Sequence, residues 1–403
     1  MKPIEIRPGI YWVGVNDQTT DLFEGLWPVR KEGVSYNSYL ILDEKKVIID
    51  LIKPIKTEEY LIGLESIIPL KEIDYIILNH LEPDHAGLLM TFSQLAPQAK
   101  FLGTAKASEL ISKFLKVKEE NRFQIVKDGE ILHLGEKSLQ FFSTPFVHWP
   151  ETMMTYEKST KILFSCDAFG GFGAIHGRIF NDEIDSLEFY EQEALRYYVN
   201  IVANYSQRVI SAIDKLTTLP VEIIAPSHGL IWRKSPERIV GLYKKWASYA
   251  SGPVEKGITL IYGSMYGFTE SLTDAVAKGI ARTGIKYCLF DGARTHVSYI
   301  LPSLWTMEGV IIGAPTYEVK LFPPVAAILE MARHKRIFGR KAGYFGSYGW
   351  SGGALKDFKG LADELKWKVT HTLEVQGMPD KDDLARAEEW GEQFASSLIK
   401  TCS

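Results

Sequence analysis

The stretch Asn79-His-Leu-Glu-Pro-Asp-His85 sets four metal-competent side chains, His80, Glu82, Asp84 and His85, within six residues. It follows the apolar run "IDYIIL". Four ionisable groups so close together cannot all enter a core, so the fold must end a buried strand at this point and release the segment as a loop. Single donors stand at the ends of other apolar runs: His148 in "FVHWPE", Asp167 in "FSCDAFG" and His228 in "APSHG". Seven donors exceed the needs of one ion and suit two ions sharing a bridge, with a carboxylate such as Asp167 as the bridging type. A solvated polar loop would account for residues 80–85 alone, but not for three further donors at strand ends. The isolated histidines His133, His176, His296 and His334 read as structural.

At 403 residues the chain is too long for one ordinary core, and two domains are expected. A net charge of −4 argues against nucleic acid as the main partner. The three cysteines, Cys166, Cys288 and Cys402, form no CxxC pair, which excludes a disulfide framework and a built-in iron–sulfur or rubredoxin-type centre. No apolar run is long enough to span a bilayer, so no membrane partner is expected and the cytoplasm is the expected location.

The best boundary is "SYASGPVEKG", residues 248–257, which separates an expected domain 1–250 from an expected domain 257–403. Before it, "SYLIL" and "KVIIDLI" read as a hairpin. "TEEYLIGLESIIP" reads as a helix with Thr57 as N-cap and Pro69 as stop. "DYIILNH", "SLQFFST", "KILFSCD" and "VEIIAPSHG" read as strands, and residues 183–216 as helix. After the boundary, "GITLIYG", "IKYCLF", "EGVIIGA" and "KAGYFGS" alternate with helical segments, which predicts a doubly wound parallel sheet. "DDLARAEEWGEQFASSLI" closes the chain as a helix with Leu384, Ala387, Phe394 and Leu398 on its core face.

The loop "SMYGFT", Ser264, Met265, Tyr266, Gly267, Phe268 and Thr269, joins the strand "ITLIYG" to a helix. Its hydroxyls and backbone N–H groups can cradle a phosphate at the helix N-terminus. It matches neither a Walker loop nor G-x-G-x-x-G, and resembles the flavodoxin phosphate loop; a plain strand–helix turn is the competing reading. Pro315, Thr316 and Tyr317 follow the third strand of this half. Ser347, Tyr348, Gly349, Trp350, Ser351 and Gly352 follow the fourth, where an open parallel sheet binds its ligand. Tyr348 and Trp350 are candidates to stack on an isoalloxazine ring, and the expected cofactor is FMN.

The first half resembles the metallo-β-lactamase superfamily, whose usual signature is H-x-H-x-D-H. Here Glu82 stands where the second histidine is usual. Imidazole-rich sites suit zinc, whereas mixed histidine and carboxylate sites suit iron that cycles between oxidation states. The order of the two halves resembles the flavodiiron proteins, or A-type flavoproteins, along essentially the whole chain. That resemblance implies a metallo-β-lactamase-like αβ/βα sandwich followed by a flavodoxin-like doubly wound parallel sheet. It implies one iron held by His80, Glu82, His148 and Asp167, and a second held by Asp84, His85, Asp167 and His228. It also implies an oxidoreductase that takes dioxygen to water or nitric oxide to nitrous oxide, and a head-to-tail homodimer or a tetramer. The chain closes at "TCS" with no appended electron-transfer module, so an external donor is expected, either a rubredoxin-like protein or a reduced deazaflavin. A dizinc hydrolase fused to a flavodoxin domain, and an electron-transfer module with a degenerate first half, are the alternatives. No general acid is assigned: Tyr197 or Tyr198 could lie near the site, with helix packing as the simpler role.

Overall fold

A run such as "YII" or "ILFSC" is apolar at nearly every position, which suits a strand covered on both faces. In the computed structural model, which describes residues 2–114 and 122–399, such runs form the centres of the sheets. Among the described residues, one seven-stranded sheet runs Ile4–Arg7, Ile10–Trp12, Tyr39–Ile41, Val47–Ile49, Tyr75–Ile77, Lys100–Gly103 and Phe123–Ile125 from edge to edge. A five-stranded sheet runs Ile131–His133, Ser138–Ser143, Met153–Glu157, Ile162–Cys166 and Ile223–Pro226. One buried cluster joins them: Trp12, Tyr39, Ile49, Ile77 and Leu102 of the first sheet meet Leu139, Phe141, Phe164 and Ala225 of the second.

The expected hairpin is present, with Tyr39–Ile41 antiparallel to Val47–Ile49. Thr57 is the first helical residue of Thr57–Glu65 rather than its N-cap; its hydroxyl returns to the Pro54 carbonyl. The segment 183–216 is not one helix. An α-helix Glu188–Tyr197 passes through a π-turn, Tyr198–Val202, and a short 3₁₀ turn before Ser206–Leu216.

Met1–Ala247 and Ser248–Ser403 are separate compact units. The second holds, among the described residues, five parallel strands in the spatial order Tyr287–Asp291, Glu255–Tyr262, Met307–Gly313, Lys341–Tyr348 and Lys368–Gln376. Numbered along the chain, this is the order 2-1-3-4-5 of flavodoxin-like sheets. The last strand has no counterpart in the sequence reading. On the closing helix Lys381–Ile399, Ala387, Trp390, Phe394 and Leu398 are buried, while Leu384 is half-buried. Cys166 is buried and free, and Cys288 is free on a sheet-edge strand; Cys402 and the terminal "TCS" lie outside the described residues. No helix among the described residues is long and apolar enough to cross a membrane.

Candidate metal centre and flavin site

The strand Tyr75–Ile77 lies between two parallel neighbours, and the chain leaves it at Asn79. Asn79 is pinned: its backbone N–H and side-chain NH2 donate to the two oxygens of Asp50, and its side-chain Oδ1 accepts from the Thr155 hydroxyl. That anchor aims His80 inward. Pro83 then opens a one-turn helix, Pro83–Ala86, where its missing N–H costs nothing. The turn swings Asp84 and His85 to the same side as His80. Asp167 and His228 follow two paired parallel strands, Ile162–Cys166 and Ile223–Pro226, so they emerge side by side.

The seven donors meet in two groups. His80 Nε2 lies 3.3 Å from Glu82 Oε2 and 3.7 Å from Asp167 Oδ2. His148 Nε2 lies 3.2 Å from the same Glu82 oxygen and 3.6 Å from Asp167 Oδ2. Asp167 Oδ1 faces the other way, 3.1 Å from His85 Nε2 and 3.4 Å from His228 Nε2. Asp84 completes that group, 3.7 Å from His85 and 3.4 Å from His228. Atoms that share an ion at about 2.1 Å lie roughly 3.0–3.4 Å apart, so both groups are close to ligand spacing, with one Asp167 oxygen in each.

Whether these residues suit a pair of cations is tested by their hydrogen bonds. Both Asp84 oxygens, His85 Nε2 and His228 Nε2 are buried and make none, although each sits near the others. Buried polar atoms rarely go without a partner. Lone pairs converging on a shared point are what an ion satisfies. The tautomers agree: His228 Nδ1 faces the Ser35 carbonyl at 2.8 Å. A carbonyl only accepts, so Nδ1 carries the proton and Nε2 is left as the donor to metal. His80 Nδ1 likewise donates to Glu151 Oε1 at 2.7 Å, leaving its Nε2 to the site.

The field of the pocket favours positive charge. Burial works against protonating His80, yet hydrogen bonds with Glu151 and Glu82 and the charge of Asp167 hold its pKa well above the ordinary value. His85, equally buried, is raised to about 9 by Asp167 and Asp84. Burial drives Asp84 up, reinforced by the charges of Glu82 and Asp167. Asp167 resists its own burial and falls well below the carboxylate range because His85 and His228 face it. A field that holds protons on buried imidazoles also favours metal cations in their place, with release of those protons.

Glu151 and Ser35 have no counterpart in the sequence reading, whereas Tyr197 is one of two tyrosines it offers as neighbours of the site. Tyr197 donates to Asp167 Oδ1 at 2.8 Å, while the neighbouring Tyr198 bonds Ser206 at 2.7 Å, away from the donors. The π-turn begins immediately after Tyr197, and such turns often mark functional sites. The other histidines stand outside every metal-competent group among the described residues. His133 meets Ser138, His176 meets Gln18, His296 caps the helix Val297–Thr306, and His334 ends the helix Pro323–His334.

In the second unit a cavity of about 420 Å³ lies at the carboxyl ends of the strands. Met265, Tyr266, Phe268, Pro315, Thr316, Tyr317, Ser347, Tyr348, Gly349, Trp350 and Ser351 line it, as do the unassigned Glu318, Val319 and Gly377. Ser264, Gly267, Thr269 and Gly352 are outside that lining. Gly267 instead caps the helix Phe268–Arg282 at φ +86°, a left-handed conformation that suits glycine, and its N–H donates to Ser264 Oγ at 3.0 Å. Thr269 is buried with its hydroxyl 3.1 Å from Ser347 Oγ. The helix N-terminus thus opens beside the cavity, as a phosphate-bearing ligand requires. Trp350 is 95% exposed, so its ring face is open to stack on a flat ligand.

Residues 34–229 match the ODP family beta lactamase, and residues 260–391 match flavodoxin. The anaerobic nitric oxide reductase flavorubredoxin of Escherichia coli O1:K1 / APEC is 37% identical over 397 residues, covering 97% of this chain and 82% of that protein. The rubredoxin oxygen:oxidoreductase of Desulfovibrio gigas superposes with a TM-score of 0.92 at 28% identity, covering 99% of both chains. The flavodiiron protein of Giardia intestinalis also superposes at 0.92, with 29% identity over 99% of this chain and 97% of that one.

The chain belongs to the flavodiiron proteins. It is therefore an oxidoreductase whose cofactors are FMN and a diiron centre. The fold inferred from sequence, a metallo-β-lactamase-like half followed by a flavodoxin-like half, is the fold observed.

Proposed function

We propose that this flavodiiron protein reduces dioxygen to water, nitric oxide to nitrous oxide, or both, with electrons passing from an external donor through FMN to the irons. The observation that carries the reading is Glu82, whose one oxygen lies 3.3 and 3.2 Å from the Nε2 atoms of His80 and His148. A carboxylate there gives each half of the site two imidazoles, its own carboxylate and one oxygen of Asp167, a mixed set that suits iron moving between oxidation states. His80, Glu82, His148 and Asp167 Oδ2 would hold one iron. Asp84, His85, His228 and Asp167 Oδ1 would hold the other. When bound, the two irons and the flavin supply the electrons for gas reduction, four in all when fully reduced, which matches dioxygen to water. The buried ligands shield the site, and Tyr197, whose pKa is pushed up by burial and by Asp167, keeps its proton and directs it at Asp167 Oδ1. The similar proteins named above include both a nitric oxide reductase and an oxygen oxidoreductase, so both gases belong in the test. Protein loaded with FMN and iron, reduced anaerobically, should consume at least one gas catalytically when a rubredoxin-like protein or reduced deazaflavin is supplied. Loaded protein that consumes neither would refute the reading.

The working unit proposed is a head-to-tail homodimer, in which the flavin of one chain serves the irons of its partner. Closed two-fold pairing is the commonest soluble assembly, and the resemblance to the flavodiiron proteins implies the same arrangement. A chain carrying His80→Ala and His148→Ala, exchanged into dimers with a Thr269→Asp chain, should regain about half of the wild-type activity per mixed dimer, since one cross-chain pair is complete. Mixed dimers that stay inactive with their remaining cofactors intact would show that transfer runs within each chain. The cytoplasmic location, proposed from the free Cys166 and Cys288, is checked by cell fractionation; recovery outside the cytoplasm would reject it.

A further inference from the structure

We propose that Glu151 is a positioning residue that makes the two irons unequal, holding the His80-side iron in its ferric form so that the His228-side iron is reduced first. The inference rests on the diiron reading above.

The inner donors of the two sides are matched. Each side has two imidazoles, one carboxylate of its own and one oxygen of Asp167. With the inner sets balanced, the surrounding hydrogen bonds decide which iron keeps its positive charge. On the first side, His80 Nδ1–H points at a carboxylate, Glu151 Oε1, at 2.7 Å. Glu151 is buried, and its Oε1 faces two N–H donors, His80 Nδ1–H and the Leu81 backbone N–H, the setting of a carboxylate anion. An anionic acceptor draws the Nδ1 proton and pushes electron density through the ring to Nε2, which stabilises the ferric ion. On the second side, His228 Nδ1–H points at the neutral carbonyl of Ser35 at 2.8 Å, a weaker pull. Tyr197 adds to the difference from the opposite direction. Its hydroxyl donates to Asp167 Oδ1, the oxygen facing His85 and His228, and so withdraws density from the second side alone.

A second buried carboxylate, Asp50, lies near His85 and could oppose this ordering. Its oxygens are already engaged by the Asn79 N–H, the Asn79 amide and the Ser227 hydroxyl. Glu151 is less engaged: beside His80, Oε1 accepts the Leu81 N–H at 3.1 Å, while Oε2 is buried and makes no hydrogen bond. Its charge is concentrated on His80.

The test is a redox titration of the iron-loaded holoprotein with dithionite and mediators, followed by the EPR signal of the state with one ferric and one ferrous ion. Each iron takes one electron, so two midpoint potentials bracket that signal. Glu151→Gln keeps an oxygen for both N–H donors and removes only the charge. It should raise the lower potential, leave the upper one in place and shrink the mixed-valence signal. Tyr197→Phe should instead lower the upper potential. If Glu151→Gln binds fewer than two irons, Glu151→Asp takes its place; with its charge one methylene farther from His80, it should raise the lower potential by a smaller amount. Unmoved potentials, or a shift in the upper one, in a Glu151 variant holding two irons would overturn the proposal. A wild-type protein that binds iron but shows no coupled pair would refute the diiron reading itself, a result separate from either.

Discussion

Replacing Asp167 with alanine should empty both halves of the metal cluster at once. Any other ligand serves one group, but Asp167 presents Oδ2 to His80 and His148 and Oδ1 to His85 and His228. Its loss takes a donor from each ion and removes the anion that offsets two dipositive charges held close together. Losing an outer-shell partner typically costs about 10–100-fold in metal affinity or activity; loss of a shared inner ligand should exceed that range for both ions. Iron analysis should fall from two per chain to below one, and gas consumption to background. The second unit provides the internal control. It is a separate compact unit with its own buried core, so FMN should remain bound. A variant with two irons and normal turnover would show that the two groups are not bridged through this residue.

Single-site losses should be less symmetrical. Removing His148 leaves the Asp84, His85 and His228 group intact, so one iron should persist. The contrast between one iron lost and two lost separates a bridged pair from two independent sites, which activity alone cannot do.

The inner donors were legible in sequence because a parallel or mixed sheet delivers its functional side chains where strands end, and short apolar runs make those ends visible. The partners around them were not. Glu151 lies 71 residues from His80, and Ser35 lies 193 from His228. Nothing local in "HWPE" or "VSYNS" marks an acceptor for a distant imidazole; only the packed sheets create the pairing. Tyr197 was legible only as one of two tyrosines near the site, without a role. Residues 197–203 are all buried, so no polar face shows where the helical period shifts, and the π-turn that follows Tyr197 has no sequence signature. The last strand, Lys368–Gln376, escaped for the opposite reason. Central strands here carry buried apolar runs such as "VIIG", whereas this edge strand alternates exposed Lys368, Thr370 and Thr372 with half-buried Val369, His371 and Leu373. Missing it also hid Gly377, which follows that strand and lines the flavin cavity. Glu318 and Val319 escaped because their turn needs positive φ, +47° and +62°, but carries no glycine to announce it.

Placing aspartate at Thr269 should release the flavin while leaving the irons in place. Thr269 is the second residue of the helix Phe268–Arg282, buried behind the cavity lining with its hydroxyl against that of Ser347, which lines the cavity. Helix N-termini bind phosphate through unpaired N–H groups and the positive end of the dipole. A carboxylate there would occupy the same donors and repel the phosphate. Two unit charges 4 Å apart interact by about 4 kcal/mol in surroundings like a protein surface. At 1.4 kcal/mol per tenfold, that weakens binding by about three orders of magnitude for each phosphate charge. The fold has a reason to survive, because an acidic residue in the first helical turn is favourable to the helix. Burial of the new charge opposes this, so retention of native far-UV circular dichroism is measured alongside. Thr269→Ser, which keeps the hydroxyl near Ser347, should stay yellow. The aspartate variant should be colourless, hold two irons and accept no electrons from the external donor. Full flavin occupancy in it would move the phosphate site away from this helix, and with it the reading of "SMYGFT" as the cradle.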